Sequence, residues 1–257
     1  MRDVFFARRT NPVVLVNSPT SAQCLGCDAR HIGMCDALSD ADMSFLARVA
    51  QRVKVPAGKA FIEEGSDASY FYDVSHGDVR VFKSLADGRR QVTGFMGAGH
   101  FLGLAIHGKY AFTAEAMNDV ELCRFDSKAL HKVFREFPAL EAKLLDVATH
   151  EMVVAQEQML LLGRKTALER VASFLMAWAE RLEVYSRGDV VDTAFTMVLP
   201  MNRTDLSDYL GLTIESVSRA FSRLKQDGLI AFTHSHEVTV RKTRRMIEIT
   251  NGDDGAL

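Results

Sequence analysis

The chain contains the stretch Arg203-Thr-Asp-Leu-Ser-Asp-Tyr-Leu210, followed by Gly211-Leu-Thr213 and Ile214-Glu-Ser-Val-Ser-Arg-Ala-Phe-Ser-Arg-Leu-Lys-Gln226. The first segment predicts a short helix and the glycine predicts a turn. Thr213 predicts the start of a second helix, because a Thr hydroxyl accepts hydrogen bonds from the free N–H groups of a first helical turn. The second helix has an apolar face formed by Ile214, Val217, Phe221 and Leu224. This pattern predicts a helix-turn-helix unit.

The other face of the second helix is polar, with Glu215, Ser218, Arg219 and Ser222 at helical spacing. In a helix-turn-helix this helix enters the major groove, where Arg donates to guanine and Glu accepts from cytosine. The residues alone also permit an ordinary helical hairpin whose polar face meets water. The candidate DNA-binding residues are Thr213, Glu215, Ser216, Ser218, Arg219 and Arg223.

Two short β-prone runs, Leu229-Ile-Ala-Phe232 and Val238-Thr-Val240, follow the second helix and predict a wing. His234 and His236 between them have the spacing of metal ligands, although a solvated turn explains them more simply. Residues 201–245 hold eight Lys/Arg and five acidic residues, a net charge of +3. The whole chain of 257 residues has a formal net charge of −2, so any binding to nucleic acid has to be local.

The residue pattern changes between Val53 and Phe125, where nine of the 17 glycines separate short β-prone runs. Turn signals at intervals of about ten residues predict an all-β sandwich or barrel, here a jelly-roll-like domain. With helical patterns on either side, the fold class is α+β. At roughly 100–200 residues per domain, the length predicts two domains.

A long helix is predicted after Pro138, because neither Gly nor Pro interrupts the pattern until Gly163. Apolar or small residues recur at alternating spacings of three and four, the seam of a two-stranded coiled coil. A helix buried on its own domain also needs an apolar stripe, but the length and narrowness favour a dimer helix. The candidate interface residues are Leu145, Ala148, Met152, Ala155, Met159 and Leu162.

Four cysteines are present, and the pattern Cys24-x2-Cys27-x7-Cys35 joined by Cys123 provides four possible metal ligands. No stretch is long enough for a membrane span or a signal peptide, so we expect a cytoplasmic protein with reduced thiols and no membrane partner. By spacing alone the ligands suit a [4Fe–4S] cluster or tetrahedral zinc equally. If Val120 to Phe125 is one strand, Cys123 points away from Val120 and Leu122.

Glu215-Ser-Val-Ser-Arg219 resembles the Glu-x-x-Ser-Arg recognition helix of the Crp-Fnr family of bacterial transcription regulators. The order of β domain, long helix and winged helix-turn-helix is similar over about residues 20–245, and pieces such as Gly65-Ser-Asp and Gly77-Asp-Val resemble the family's effector domain. The resemblance implies a cyclic-nucleotide-binding-like β domain and a homodimer that is no enzyme. It also implies that the operator is double-stranded DNA with a TTGAT-like inverted repeat, which Glu215, Ser218 and Arg219 would read. Contact with RNA polymerase is a further implication of the resemblance.

The cysteine pattern resembles the oxygen-sensing FNR branch, which carries an N-terminal trio and one cysteine in the β domain, and the x7 gap is similar to FnrN/FixK-like variants. The resemblance implies that Cys24, Cys27, Cys35 and Cys123 hold a [4Fe–4S] cluster that promotes dimerisation and that oxygen dismantles. Zinc remains the alternative. Asp28, beside Cys27, is a candidate for altering the cluster's lability.

The phosphate cassette of the cyclic-nucleotide branch is replaced here by Gly103-Leu-Ala105 and Thr113-Ala-Glu115. Its ligand-holding Glu and Arg are missing, and Glu115 would repel a phosphate if it occupied that cavity, so we expect no cyclic nucleotide. A metal-dependent jelly-roll enzyme is a second class, but His76, His100 and His107 are scattered. A regulator with structural zinc or another small-molecule effector is a third.

The predicted organisation has five parts: a flexible arm at 1–20, a cluster-binding segment with β-roll sensor domain at 21–136, a dimerisation helix at 137–163, a winged helix-turn-helix domain at 164–246 and a flexible tail at 247–257.

Overall fold

The computed structural model describes residues 13–185, 193–234 and 236–253. The chain divides into two compact units, one comprising residues 1–87 and 93–148 and the other residues 88–92 and 149–257. Residues 1–12 of the predicted arm and 254–257 of the predicted tail lie outside the described part.

The first unit is built on two antiparallel sheets and a small hairpin. In chain order the strands are β1 (Val14–Asn17), β2 (Ala50–Val55), β3 (Ala60–Ile62), β4 (Tyr70–His76), β5 (Val79–Ser84), β6 (Arg90–Met96), β7 (Phe101–Leu102), β8 (Ala105–Ile106), β9 (Lys109–Tyr110), β10 (Thr113–Ala116) and β11 (Val120–Asp126). The larger sheet has the order β1-β2-β11-β4-β7 and the smaller one β3-β10-β5-β6, while β8 pairs with β9.

The main core of this unit contains side chains from both sheets. Alternation along β11 places Val120 and Leu122 in this core together with Val81 and Ala114 of the smaller sheet. Cys123 and Phe125 point to the other face of the larger sheet, because successive strand residues alternate between faces. The face of Cys123 is thus the one that the strand pattern predicts.

Helices cover that second face. They are α1 (Ser21–Leu25), α2 (Met43–Val49), α3 (Ser127–Glu136) and the start of α4 (Pro138–Arg164), with a 3₁₀ turn at Met34–Ala37. Met34, Leu46 and Leu130 are fully buried here against Phe125, and Cys24, Cys35 and Cys123 pack at the edge of the same cluster. The second face of the sheet therefore brings the N-terminal cysteines and Cys123 into one region.

The second unit continues α4 and adds a winged helical domain. Its elements are α5 (Ala167–Arg181), β12 (Phe195–Val198), α6 (Arg203–Leu210), α7 (Ile214–Gln226), β13 (Ile230–His234), β14 (Glu237–Val240) and α8 (Thr243–Thr250), and the strands form a sheet of order β12-β14-β13. Capping boxes at Thr166 with Glu169 and at Asn202 with Asp205 start α5 and α6. Such boxes satisfy helix N–H groups that otherwise lack a partner.

The α+β fold, with its jelly-roll-like β domain, long helix and winged helix-turn-helix, agrees with the sequence prediction. Three details need correction. Val14–Asn17 forms a strand on β2 instead of belonging to a loose arm. Residues 247–250 belong to α8, where Ile249 is buried, so a tail beginning at 247 is wrong. The strand Phe195–Val198 was not predicted and extends the wing to a third strand.

Candidate DNA-reading and cysteine sites

The turn between α6 and α7 has the geometry that its sequence predicts. Gly211 adopts a left-handed conformation with φ +59°, in which a side chain would be strained. The hydroxyl of Thr213 accepts a hydrogen bond from the N–H of Ser216 at the start of α7. These two features set the angle between the helices and fix where the second helix begins.

The two faces of α7 differ in exposure. Val217, Phe221 and Leu224 are buried, whereas Ile214 is exposed and so does not belong to the buried face as expected. Of the candidate DNA-binding side chains, Ser216 is half-buried and the others are exposed: Thr213, Glu215, Ser218, Arg219 and Arg223. This face presents hydrogen-bonding groups to solvent.

Local contacts stabilise the ionised side chains on the exposed face of α7. The backbone N–H of Glu215 and the Thr213 hydroxyl lower the pKa of the Glu215 carboxyl, which keeps it ionised. Arg223 pairs with Asp227 at 3.0 Å, so part of its charge is neutralised within the helix. Arg219 has no ion pair among the described contacts, which leaves its guanidinium available to a base edge or a phosphate.

Arg203 orients the recognition helix, a role that the sequence did not reveal. Its guanidinium lies 3.4 Å from the ring centre of Phe221 on α7 and 5.4 Å from that of Phe232 on β13. Partial burial lowers the pKa of this guanidinium from its ordinary value. Stacking of Arg on aromatic faces is favourable, so one side chain ties α6, α7 and the wing together.

The predicted seam on α4 is exposed at its largest side chains. Leu145, Met152 and Met159 are 68%, 57% and 66% exposed. Ala155 is exposed, while Ala148 and Leu162 are half-buried. Exposed apolar side chains at this spacing are typical of a helix that pairs with another helix. Val153, Val154 and Leu160 are also exposed, so the apolar surface is wider than the predicted seam.

The four cysteines lie in one region of the first unit. Cys24 is in α1, Cys27 follows the end of that helix, Cys35 is in the 3₁₀ turn and Cys123 is in β11. All four are free thiols. Among the described residues, no three His, Cys, Asp or Glu side chains are already arranged to hold a metal ion. The thiols are therefore gathered but not yet in ligand positions.

The pKa values of the four thiols indicate that the cysteines interact with one another. Burial raises the pKa of all four thiols, that of Cys123 to about 12. The other cysteines contribute as well: Cys24 and Cys27 raise the pKa of both Cys35 and Cys123. The distant Cys123 is thus within electrostatic reach of the N-terminal trio.

Cys123 lies in a row of side chains that crosses the larger sheet. It is directly opposite Asp73 on β4 and opposite Arg52 on β2, and Asp73 is in turn opposite Phe101 on β7. Asp73 is 2% exposed, and its Oδ2 has no hydrogen-bond partner. Burial raises the pKa of Asp73 to about 7. Arg52 is partly exposed and pairs with Glu121.

Arg30 organises the segment between Cys27 and Cys35. The buried guanidinium donates to the Cys35 carbonyl at 2.5 Å, to the Leu38 carbonyl at 2.7 Å and to the Asp40 carboxylate at 2.8 Å. Its Nε is buried without a partner. A buried charge with several hydrogen bonds fixes the path of the chain around it, here the seven-residue gap of the cysteine trio.

The cysteine segment also touches the β domain through two glycines. A Cβ on Gly33 would lie 2.6 Å from the carbonyl oxygen of Gly99, closer than real atoms approach. Gly99 itself has φ +82° and passes close to Ile32. Only glycine at position 33 allows the segment to rest on the turn between β6 and β7.

The residues present fit a metal centre by donor chemistry. Four free thiols lie in one region, and four thiolates are the ligand number of a [4Fe–4S] cluster or a zinc ion. Asp73 Oδ2 and Arg30 Nε are orphaned polar atoms near them, and orphaned polar atoms are uncommon in a finished interior. This part of the molecule is therefore suited to hold a charged group.

The Glu115 carboxylate is paired within the β domain. Glu115 was expected to repel a phosphate in the β domain, but it lies opposite Arg80 and pairs with that guanidinium. The arginine neutralises the carboxylate, and both side chains are mostly buried. Glu115 therefore gives no argument against a bound phosphate.

Residues 169–249 match the family description "Crp-like helix-turn-helix domain", and residues 52–137 match "Cyclic nucleotide-binding domain". The two matches together span more than half of the chain. The chain belongs to the Crp-Fnr family. It is a DNA-binding transcription regulator.

Crp-Fnr relatives align with almost the whole chain. The "Nitrogen fixation regulation protein FixK" of Bradyrhizobium diazoefficiens is 37% identical over 87% of this chain and 92% of its own length. The "Transcriptional activator protein FnrL" of Cereibacter sphaeroides is 32% identical over 91% of this chain and 95% of its own. The solved structure of FixK2 from Bradyrhizobium japonicum has a TM-score of 0.70 at 36% identity and covers 78% of this chain and 97% of that one. These relatives are transcription regulators, and none of them indicates catalysis.

Among the described residues of this Crp-Fnr protein, no helix is both long and apolar enough to cross a membrane.

Proposed function

We propose that the protein is an oxygen-responsive regulator. It binds an inverted repeat of TTGAT-like half-sites as a homodimer, and Cys24, Cys27, Cys35 and Cys123 hold a [4Fe–4S] cluster. The single observation that carries the proposal is the gathering of free thiols: Cys24, Cys35 and Cys123 pack against one apolar cluster, and Cys27 raises the pKa of all three.

The operator proposal rests on the exposed face of α7. Glu215, Ser218 and Arg219 are exposed side by side near the start of the helix. Arg can donate two hydrogen bonds to guanine, and an ionised Glu can accept from cytosine. The low pKa of Glu215 keeps it an acceptor at neutral pH.

The dimer proposal rests on α4. Its exposed Leu145, Met152 and Met159 are covered when two copies of the helix pair. A dimer presents two α7 helices, so an inverted repeat matches its symmetry. RNA polymerase is the further partner that we propose for a DNA-bound regulator, from the family resemblance alone.

A bound [4Fe–4S] cluster would supply an oxygen-sensitive centre in this part of the molecule. The chain's own residues provide the connections: Arg30 fixes Cys35 through its backbone carbonyl, and Gly33 seats the segment on the β domain. Cys123 is anchored in β11, so a group shared by all four thiols links the N-terminal segment to the sheet. Loss of that link changes the packing near α4, whose Leu140 belongs to the same apolar cluster.

Zinc is the second candidate for the cysteine site, because four thiols complete its tetrahedral ligand set. Anaerobic purification with iron, acid-labile sulfide and zinc analysis separates the two metals. We expect iron and sulfide that disappear in a Cys123→Ser variant. Zinc at one equivalent without iron would contradict the cluster.

Operator binding is tested by fluorescence anisotropy with a duplex carrying the inverted repeat. We expect tighter binding by the anaerobic protein than by the air-exposed protein, together with a larger dimer fraction in sedimentation. Equal affinity and equal mass under both conditions would defeat the oxygen response, while leaving DNA binding itself intact.

A further inference from the structure

Asp73 is a buried carboxylate that the proposed function does not use. It is 2% exposed, and Oδ2 makes no hydrogen bond. Its cross-strand neighbours are Cys123 on β11 and Phe101 on β7. Neither side chain is a strong hydrogen-bond donor, so the residues opposite Asp73 do not compensate the charge of its carboxylate.

The strand register places Asp73 on the cysteine face. Tyr72 and Val74, its neighbours in β4, belong to the main core on the opposite face. Residues directly opposite in an antiparallel pair share a face, with Cβ atoms about 4.5–5.5 Å apart. The carboxylate of Asp73 and the thiol of Cys123 are therefore adjacent on the side that also carries Cys24 and Cys35.

The effect of Asp73 extends beyond Cys123. After burial, Asp73 is the largest contributor to the raised pKa of both the Cys35 and the Cys123 thiol, and it also raises that of Cys27. One carboxylate thus acts on three of the four candidate ligands.

Other charged groups near the thiols are better compensated. Arg52, on the opposite side of Cys123, is partly exposed and paired with Glu121. Asp28 follows Cys27 in sequence, but it is 72% exposed and lies 3.5 Å from His76. Solvent screens an exposed charge far more than a buried one. Among the acidic groups near the thiols, Asp73 is therefore the one that is buried and has an oxygen without a hydrogen bond.

We infer that Asp73 weakens the hold of the four-cysteine site on its metal and so keeps the site ready to release it. This inference rests on the proposed metal-binding function. A thiol must lose its proton to bind a metal, and each new thiolate brings negative charge beside the buried carboxylate. If the carboxylate instead takes up a proton when the metal binds, that protonation also costs free energy, so the sign of the effect is the same.

Zinc ion is the probe for a direct test, because its affinity is measured by competition with a chromophoric chelator and requires neither iron nor DNA. The full-length reduced protein is compared with Asp73→Asn and with Asp28→Asn. The two variants remove the same charge close to the cysteines, one in the interior and one on the surface. We expect zinc binding about tenfold tighter in Asp73→Asn and a much smaller gain in Asp28→Asn, because solvent screens the exposed carboxylate.

A second measurement uses the iron–sulfur form reconstituted without oxygen. Loss of iron in air, followed with an iron chelator, should be slower for Asp73→Asn than for wild type and Asp28→Asn. Asp73→Ala removes the charge and shortens the side chain. A gain in zinc affinity in both position-73 variants assigns the effect to charge, whereas a gain in neither, with each variant folded by circular dichroism, overturns the inference.

The outcomes distinguish failure of this inference from failure of the proposed metal-binding function on which it rests. If the wild type binds metal through its cysteines and Asp73→Asn binds it with equal affinity, the inference fails and the metal site stands. An equal gain in Asp28→Asn also overturns the inference, because the effect would then not depend on burial. If no variant binds zinc or iron in a cysteine-dependent way, both the inference and the proposed cluster fail.

Discussion

Asp73 and Cys123 lie directly opposite each other on β4 and β11, a carboxylate and a thiol on the same face of the sheet. Arg52 lies on the other side of Cys123. The thiol is therefore flanked by opposite charges, of which only the arginine has a partner. Asp73 therefore raises the pKa of the Cys123 thiol more than Arg52 lowers it.

The metal-free protein should lose stability through Asp73 as pH rises from about 4 to 7. Burial raises the pKa of the folded carboxyl from 3.8 to about 7, so in this window the folded protein binds a proton that the unfolded chain does not. At low pH the carboxyl is protonated in both the folded and the unfolded protein, so its ionisation does not reduce the free energy of unfolding. Asp73→Asn should remove this dependence, which amounts to up to about 4 kcal/mol.

The measurement is urea unfolding of wild type and Asp73→Asn at several pH values, with a metal chelator present. Other acidic groups contribute equally to both proteins, so the difference between the two curves isolates Asp73. A difference that stays constant across this pH window would show that the carboxyl does not titrate there.

Gly33→Ala should detach the cysteine segment from the β domain. The added methyl would meet the Gly99 carbonyl oxygen at 2.6 Å, and overpacking of this kind costs about 1–3 kcal/mol. Gly26→Ala is the matched control in the same segment, because its Cβ would meet only Ala22 at an ordinary 3.7 Å. Thermal unfolding should show a lower Tm for Gly33→Ala alone, and equal Tm values for the two variants would refute the close contact.

Arg219→Ala should lower both affinity for the operator and discrimination against a scrambled duplex. A side chain that donates to a guanine edge contributes about 1–3 kcal/mol of discrimination. Lys225→Ala, an exposed position in the last turn of α7, removes the same charge away from the start of the helix. Anisotropy titrations with both duplexes decide the matter: an equal loss on specific and scrambled DNA would assign Arg219 to a phosphate.

Met152→Glu should shift the protein towards monomer, because it places a charge in the exposed seam of α4. Val153→Glu makes the same change at the next exposed apolar residue, which lies about 100° further round the helix. Sedimentation equilibrium under anaerobic conditions should show a weaker dimer for Met152→Glu. Equal weakening by both substitutions would indicate an interface wider than the predicted seam.

Local patterns in the sequence predicted the helix-turn-helix well. Thr213 caps α7 and Gly211 takes the left-handed turn, because both features depend on residues within one or two positions. Alternation along β11 likewise predicted that Cys123 faces away from Leu122. These features need no knowledge of distant pairing.

The sequence did not predict the features that depend on strand register. The sequence drew attention to Asp28 because it adjoins Cys27, whereas the buried acid beside Cys123 is Asp73, 50 residues earlier in the chain. Pairing of Glu115 with Arg80 was missed for the same reason. Val14–Asn17 was missed because all four of its residues are exposed and show no alternation.

All four cysteines lie before residue 124, in the first unit, while α5 and α6 of the DNA-reading unit begin with capping boxes of their own. The second unit thus contains no cysteine. If the proposed metal is lost from the first unit, we expect the helix-turn-helix to keep its fold, because residues of its own chain cap α6 and α7.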